Sequence, residues 1–151
     1  MAHFVHCALE QKPISLYGNG RQVRDVLSVR DLVLAFERVR DQIDKTAGQI
    51  YNVGGGPKNS ASLLEVIEEI EGITGRRIHF SFEAPRPGDQ LFYVTDFGKL
   101  STHTGWKPQR NLRQIIQDIY EWSKERRGIS ELVPVSAIGR GMFEGLPEAA
   151  S

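Results

Sequence analysis

Cysteine is nearly absent from this 151-residue chain, and neither charge sign is in excess: nineteen Lys and Arg balance nineteen Asp and Glu. A lone Cys7 cannot close an internal disulfide, so the fold must rest on a packed core. Zero net charge gives no overall field to gather nucleic acid or an anionic membrane surface, so any anion site must be local. No apolar run approaches the ~20 residues needed to span a bilayer. Residues 1 to 10 lack the basic start and long apolar core of a secretory signal, and a cytoplasmic location is the expectation. Neither G-x-G-x-x-G nor G-x-x-x-x-G-K-[ST] occurs, which removes the two commonest phosphate-cradling loops. The length suits one α/β domain with a real core.

The apolar rhythm predicts alternating elements. Phe4, Val5, Ala8 and Leu9 share a helical face with no capping residue before it, and Lys12-Pro13 ends that helix. Ile14-Ser15-Leu16-Tyr17 reads as a strand running into Gly18-Asn19-Gly20, a turn, and a second strand carries Val23-Arg24-Asp25-Val26. From Asp31, Leu32, Ala35, Phe36, Val39 and Ile43 form the expected buried face of a helix. Gln49 to Val53 reads as a strand leading into Gly54-Gly55-Gly56-Pro57. Ser62-Leu63-Leu64-Glu65 is a capping box opening a helix that Gly75 should stop. Arg77 to Phe82 alternates like a strand, and Pro85-Arg86-Pro87-Gly88-Asp89 is a stiff loop. Asp96 can cap a short helix ending at Gly105-Trp106-Lys107-Pro108. Asn111 caps a last helix with Leu112, Ile115, Ile116, Ile119 and Trp122 inward, fading at Arg126 to Gly128. Residues 129–151 have no sustained period and read as a flexible tail.

Several groups invite chemical readings that plainer ones answer. The three glycines at 54–56 follow a strand but stand too far from the next helix cap for a phosphate loop, so they read as a turn. Tyr120 and Lys124 match Tyr-x-x-x-Lys, a proton-transfer pair, yet Tyr120 adjoins Ile116 and Ile119 on an apolar helix face. His3 and His6 lack the further ligands a metal needs, and Cys7 reads as a small buried hydrophobe. Asp25 and Asp31 suit capping and strand-end pairing as well as catalysis. Arg24 with Arg86 and Asp89 remains. Two guanidinium forks suit a pyrophosphate, and a carboxylate accepts from sugar hydroxyls.

The combination of Gly18-Asn19-Gly20-x-Gln22-Val23-Arg24-Asp25-Val26, Val29-x-Asp31-Leu32, Tyr51-Asn52-Val53-Gly54-Gly55-Gly56, Arg86-Pro87-Gly88-Asp89-Gln90 and Gly105-Trp106-Lys107-Pro108 resembles the extended short-chain dehydrogenase family of nucleotide-sugar epimerases and dehydratases. The resemblance covers about residues 2 to 127, and its Gln-Val-Arg-Asp-Val and Arg-Pro-Gly-Asp-Gln wording is similar to members acting on CDP-sugars. It implies an α/β fold, the C-terminal substrate-binding domain of an extended short-chain dehydrogenase without its N-terminal Rossmann domain. Residues 1–10 would then be the remnant of an inter-domain helix and 11–128 the nucleotide-sugar domain. By the same resemblance Arg24 and Arg86 bind the diphosphate, Asp89 lies near the ribose, Ser15 and Tyr17 meet the base, and Tyr93 is a further nucleotide-side position. NAD serves the complete family member, whereas its loop and catalytic residues match nothing here, so no cofactor or catalytic residue is expected in this chain. The expected partners are a CDP-sugar and a separate Rossmann-domain chain. Self-association is expected through apolar faces that such a domain would cover, around Phe4 to Leu9 and Leu27 to Phe36.

Overall fold

Two small sheets carry the strands. The structure, a computed structural model, describes residues 1–132, with side-chain surroundings up to Arg126. Strand β1 (Ile14–Tyr17) pairs in parallel with β4 (Phe80–Glu83), and β2 (Val23–Asp25) lies between β3 (Ser60–Ser62), antiparallel, and β5 (Phe92–Tyr93), parallel. Helices α1 (Ala2–Glu10), α2 (Val29–Asp41), α3 (Ile43–Thr46), α4 (Leu63–Thr74), α5 (Gly98–Thr104) and α6 (Leu112–Leu132) pack around them. Helix α6 therefore runs past the expected fade at Gly128, and the tail read at 129–151 lies outside the described residues beyond Leu132.

Local chemistry sets the helix ends. Ser62 Oγ accepts the Glu65 amide at 3.3 Å while Glu65 Oε2 accepts the Ser62 amide at 2.7 Å, which completes the capping box. Donation to that carboxylate, from the Ser62 backbone first and then from its hydroxyl at 2.7 Å, holds the Glu65 carboxyl below its ordinary value. Asn111 and Gln114 cap α6 by the same exchange, both at 2.9 Å. Gly75 and Gly105 end α4 and α5 in the left-handed conformation, at φ 66° and 72°. Ser28, not Asp31, caps α2, accepting from the Arg30 amide at 3.2 Å.

The core falls into two clusters. In the larger, Val5, Cys7, Ala8 and Leu9 of α1 meet Val66, Ile67 and Ile70 of α4, Ile116 of α6, and Ile14 and Leu16 of β1. The expectation that Phe4 to Leu9 stand exposed is thereby corrected, because α4 and α6 already cover that face. The smaller cluster gathers Ala35, Leu100 and Trp106, with Leu27, Leu34, Val39, Tyr51, Val53 and Phe97 against it. Asp31, 1% exposed, ties it: its backbone carbonyl accepts Trp106 Nε1 at 3.0 Å and its carboxylate the Arg110 amide at 3.1 Å.

Four further readings change. Phe36 and Ile43 do not join the buried face of α2 and α3; with Val29 and Val33 they form an outward apolar stripe, each at least half exposed. Gln49 to Val53 is not a strand: Tyr51 and Val53 turn inward and Ile50 outward, as in a strand, but no neighbouring strand pairs with it among the described residues. Trp122 lies at the half-exposed edge of α6 beneath the Arg126 guanidinium. The strand expected at Arg77 to Phe82 forms later, at Phe80–Glu83.

Ser62→Ala is expected to lower stability by about 1 kcal/mol, read as an earlier urea midpoint at unchanged m. Because Glu65 is depressed in the folded chain, its stabilisation is present at neutral pH and is lost as pH falls through the carboxylate range. Glu65→Gln should flatten that part of the acid limb of stability against pH.

Candidate functional site

The turn between β1 and β2 fixes which way the arginine strand faces. Gly18 and Gly20 hold φ 84° and 72°, and a Cβ on Gly20 would stand 2.9 Å from Leu64 Cγ, so the turn needs glycine twice over. Asn19 Oδ1 accepts the Arg21 amide at 3.0 Å, and the buried Gln22 side chain donates to the Tyr17 carbonyl at 2.6 Å. Beyond the turn, pairing on both edges locks β2, with Arg24 opposite Ala61 on one side and Tyr93 on the other.

Residues Pro85 to Asp89 close over this strand. The Asp89 amide donates to the Arg86 carbonyl at 3.2 Å across a turn with Pro87 second and Gly88 third at φ 79°, the residue types that suit a type II turn. The Arg86 guanidinium lies over the Tyr17 ring, its carbon 3.7 Å from the ring centre, a cation–π contact. Arg24 Nη2 donates to Asp89 Oδ1 at 3.1 Å, and its Nη1 donates to the Val23 carbonyl at 2.8 Å. Ser15, Tyr17, Arg24, Arg86 and Asp89 thus line one cleft of about 550 Å³, whose walls include His3, Phe4 and Gln22. A side lobe of about 290 Å³ continues past Tyr17 and Arg86 to Glu83 and Leu91. Tyr93 pairs with Arg24 in the sheet but does not line the cleft.

Gln22 and His3 were missed in the sequence. Gln22 precedes Arg24 by two, which in an extended chain places it on the same face, so a signal was there to read. His3 had none, since only the docking of α1 brings its end to β1. Its imidazole lies 3.6 Å from Cys7 Sγ. Cys7 is 5% exposed, and burial first, then Glu10, raises its thiol above the ordinary value, as suits a packed hydrophobe. His6 instead meets the buried Ser123 hydroxyl at 3.2 Å. No group of three His, Cys, Asp or Glu gathers to hold a metal among the described residues. Lys124 Nζ stands 5.2 Å from the Tyr120 ring centre, and Tyr120 packs on the larger core cluster. Asp25, on the face of β2 opposite Arg24, accepts the Gly56 amide at 2.9 Å. A second cavity of about 570 Å³, between Pro57 and Asn111, contains none of the predicted site residues.

The GDP-mannose 4,6 dehydratase family model matches residues 1–119. The chain belongs to that family. It is 32% identical over 112 residues to the CDP-paratose 2-epimerase of Salmonella typhi, covering 74% of this chain and 33% of that protein. It is 36% identical over 123 residues to a dTDP-glucose 4,6-dehydratase of Salmonella typhimurium, covering 76% of this chain and 33% of the relative. Among solved structures, the UDP-glucuronic acid 4-epimerase of Bacillus cereus in complex with UDP-glucuronic acid and NAD superposes with a TM-score of 0.76 at 26% identity, over 83% of this chain and 40% of that one. The fold is accordingly that of the extended short-chain dehydrogenase epimerases, and this family member spans about a third of the length of the curated relatives it matches.

The family uses NAD, as that neighbour shows; the glycine loop of this chain is closely packed against its own residues. A Cβ on Gly54 would meet Thr95 Oγ1 and Asp25 Oδ2, and one on Gly55 would meet the Val26 carbonyl. The Cβ side of these two glycines is filled by the chain's own atoms, so close packing accounts for them. Gly55→Ala is expected to destabilise by about 1–3 kcal/mol through that backbone clash, while leaving any nucleotide affinity of the residual folded protein unchanged; thermal melts and ligand titration check the two halves.

Proposed function

We propose that this chain is the substrate-binding portion of an NAD-dependent nucleotide-sugar epimerase that takes a CDP-linked dideoxyhexose, as in CDP-paratose 2-epimerase. The supporting observation is the convergence of Ser15, Tyr17 and Arg24 with Arg86 and Asp89, some sixty residues later, on one cleft. A nucleoside diphosphate fits that donor set: two guanidinium groups for two phosphoryl groups, an aromatic ring for the base, and a carboxylate able to accept from ribose hydroxyls. Nothing in the cleft supplies a proton-transfer pair like the one the family's chemistry calls for, and Tyr120 with Lys124 lies on a different element from all of these residues. The chain binds and orients; the sugar's hydride chemistry belongs to a cofactor domain supplied outside these residues.

A docking role beside a separate Rossmann chain has its own support. The stripe of Val29, Val33, Phe36 and Ile43 is exposed, Ile50 within the unpaired stretch is 86% exposed, and residues 50–53 alternate inward and outward like a strand without a neighbour among the described residues. Exposed apolar side chains and a stretch unpaired among the described residues each suit the packing of a second α/β layer.

In titrations the chain should bind CDP in the millimolar range, and Arg24→Ala should weaken it by about ten-fold or more, the scale of hydrogen bonds to a charged group. Unchanged binding by the variant would remove Arg24 from the site. The chain mixed with CDP-paratose and NAD should form no tyvelose product; turnover by the chain alone overturns the division of labour. Sedimentation should show self-association that Phe36→Ser reduces, and a monomeric parent chain that binds no hydrophobic dye would count against the docking face.

A further inference from the structure

We infer that Glu83 reads the base of the nucleotide, accepting from an exocyclic amino group and so favouring cytosine over uracil or thymine. This rests on the nucleotide-sugar reading of the cleft and names the side chain that selects among nucleotides there. In the parallel pairing of β1 with β4, Ser15 stands beside Ser81 and Tyr17 beside Glu83. Paired residues share a sheet face, so Ser81 and Glu83 lie on the side that carries Ser15 and Tyr17, while Ile14 and Leu16 turn to the core. The register is tied at both ends. The Ile14 amide donates to the His79 carbonyl and the Gly18 amide to the Glu83 carbonyl, both at 2.9 Å.

Glu83 and Tyr17 line the side lobe together, with Asn19, Gln22 and Leu91 around them. Three polar groups of that lobe already have partners: Gln22 donates to the Tyr17 carbonyl at 2.6 Å, Asn19 accepts the Arg21 amide at 3.0 Å, and Asp89 accepts from Arg24 at 3.1 Å. The Glu83 carboxylate makes no ion pair among the described residues, and the Ser81 hydroxyl reaches it only at 3.4 Å, long for such a bond. It has room to accept more. Cytosine carries an amino group at N4, whereas uracil and thymine carry a carbonyl oxygen there, so an acceptor-only carboxylate at that edge gains a bond from the first and repels the others. The remaining donor of uracil, N3–H, lies between two carbonyl oxygens, and meets a carboxylate only with those oxygens close to it.

The test uses the full chain, titrated by calorimetry with CDP and with UDP. The parent should bind CDP about three- to ten-fold more tightly, the scale of one hydrogen bond's net contribution. Glu83→Gln keeps the length of the side chain and adds an amide donor, so CDP should weaken, UDP should tighten, and their ratio should fall toward unity. Arg24→Ala should weaken both nucleotides by the same factor, because the diphosphate is common to them. A ratio unchanged by Glu83→Gln, or a parent chain that binds both nucleotides without preferring CDP, would overturn the inference and leave the nucleotide reading standing. Binding of neither nucleotide by the parent would overturn that reading, and the inference with it.

Discussion

The register of β2 is the constraint on which the rest depends. All three of its residues pair with β3, which runs against them, and Val23 and Arg24 pair with β5 as well, and alternation then sends Arg24 to one face and Asp25 to the other. A slip of one residue would exchange the two. Arg24 would then face the glycine loop and Asp25 the cleft, losing the Asp89 contact and the tie to the Gly56 amide together. The turn at Gly18-Asn19-Gly20, with Gln22 bonded back to the Tyr17 carbonyl, is what makes such a slip costly.

That strand also joins the two halves of the core. Its cleft face opens beside α1 and β1, which belong to the larger cluster, and Asp25 on its other face anchors the loop that leads from Tyr51 and Val53 in the smaller one. Asp31, two turns of chain later, closes the smaller cluster by accepting from Trp106 and Arg110. Two aspartates that had the residue type of catalytic acids thus serve as acceptors for backbone and indole donors.

Where local chemistry decides, the sequence was readable. The Ser62 and Asn111 boxes and the glycine stops at 75 and 105 form as their residue types demand, because each is satisfied within a few residues. Where a distant partner decides, it was not. Gln49 to Val53 has a strand's composition and a strand's alternation but no neighbour among the described residues, and a strand exists only through a neighbour's hydrogen bonds. The α2 rhythm was real, yet periodicity gives the angle of an apolar stripe and not what it faces: Ala35 turned to Leu100 and Trp106, while Phe36, one residue on, turned to solvent.

By itself the sequence determined the family, the α/β class, the caps at Ser62 and Asn111 and the glycine stops at 75 and 105, since turns and caps are properties of residues and their near neighbours. Only the tertiary structure decided that Arg86 lies on Tyr17, that Asp89 holds Arg24, that His3 reaches the same cleft, and that Tyr93 does not. Those contacts join residues tens of positions apart, and their geometry is set by how β1, β2 and the 85–89 turn pack, which no local pattern encodes.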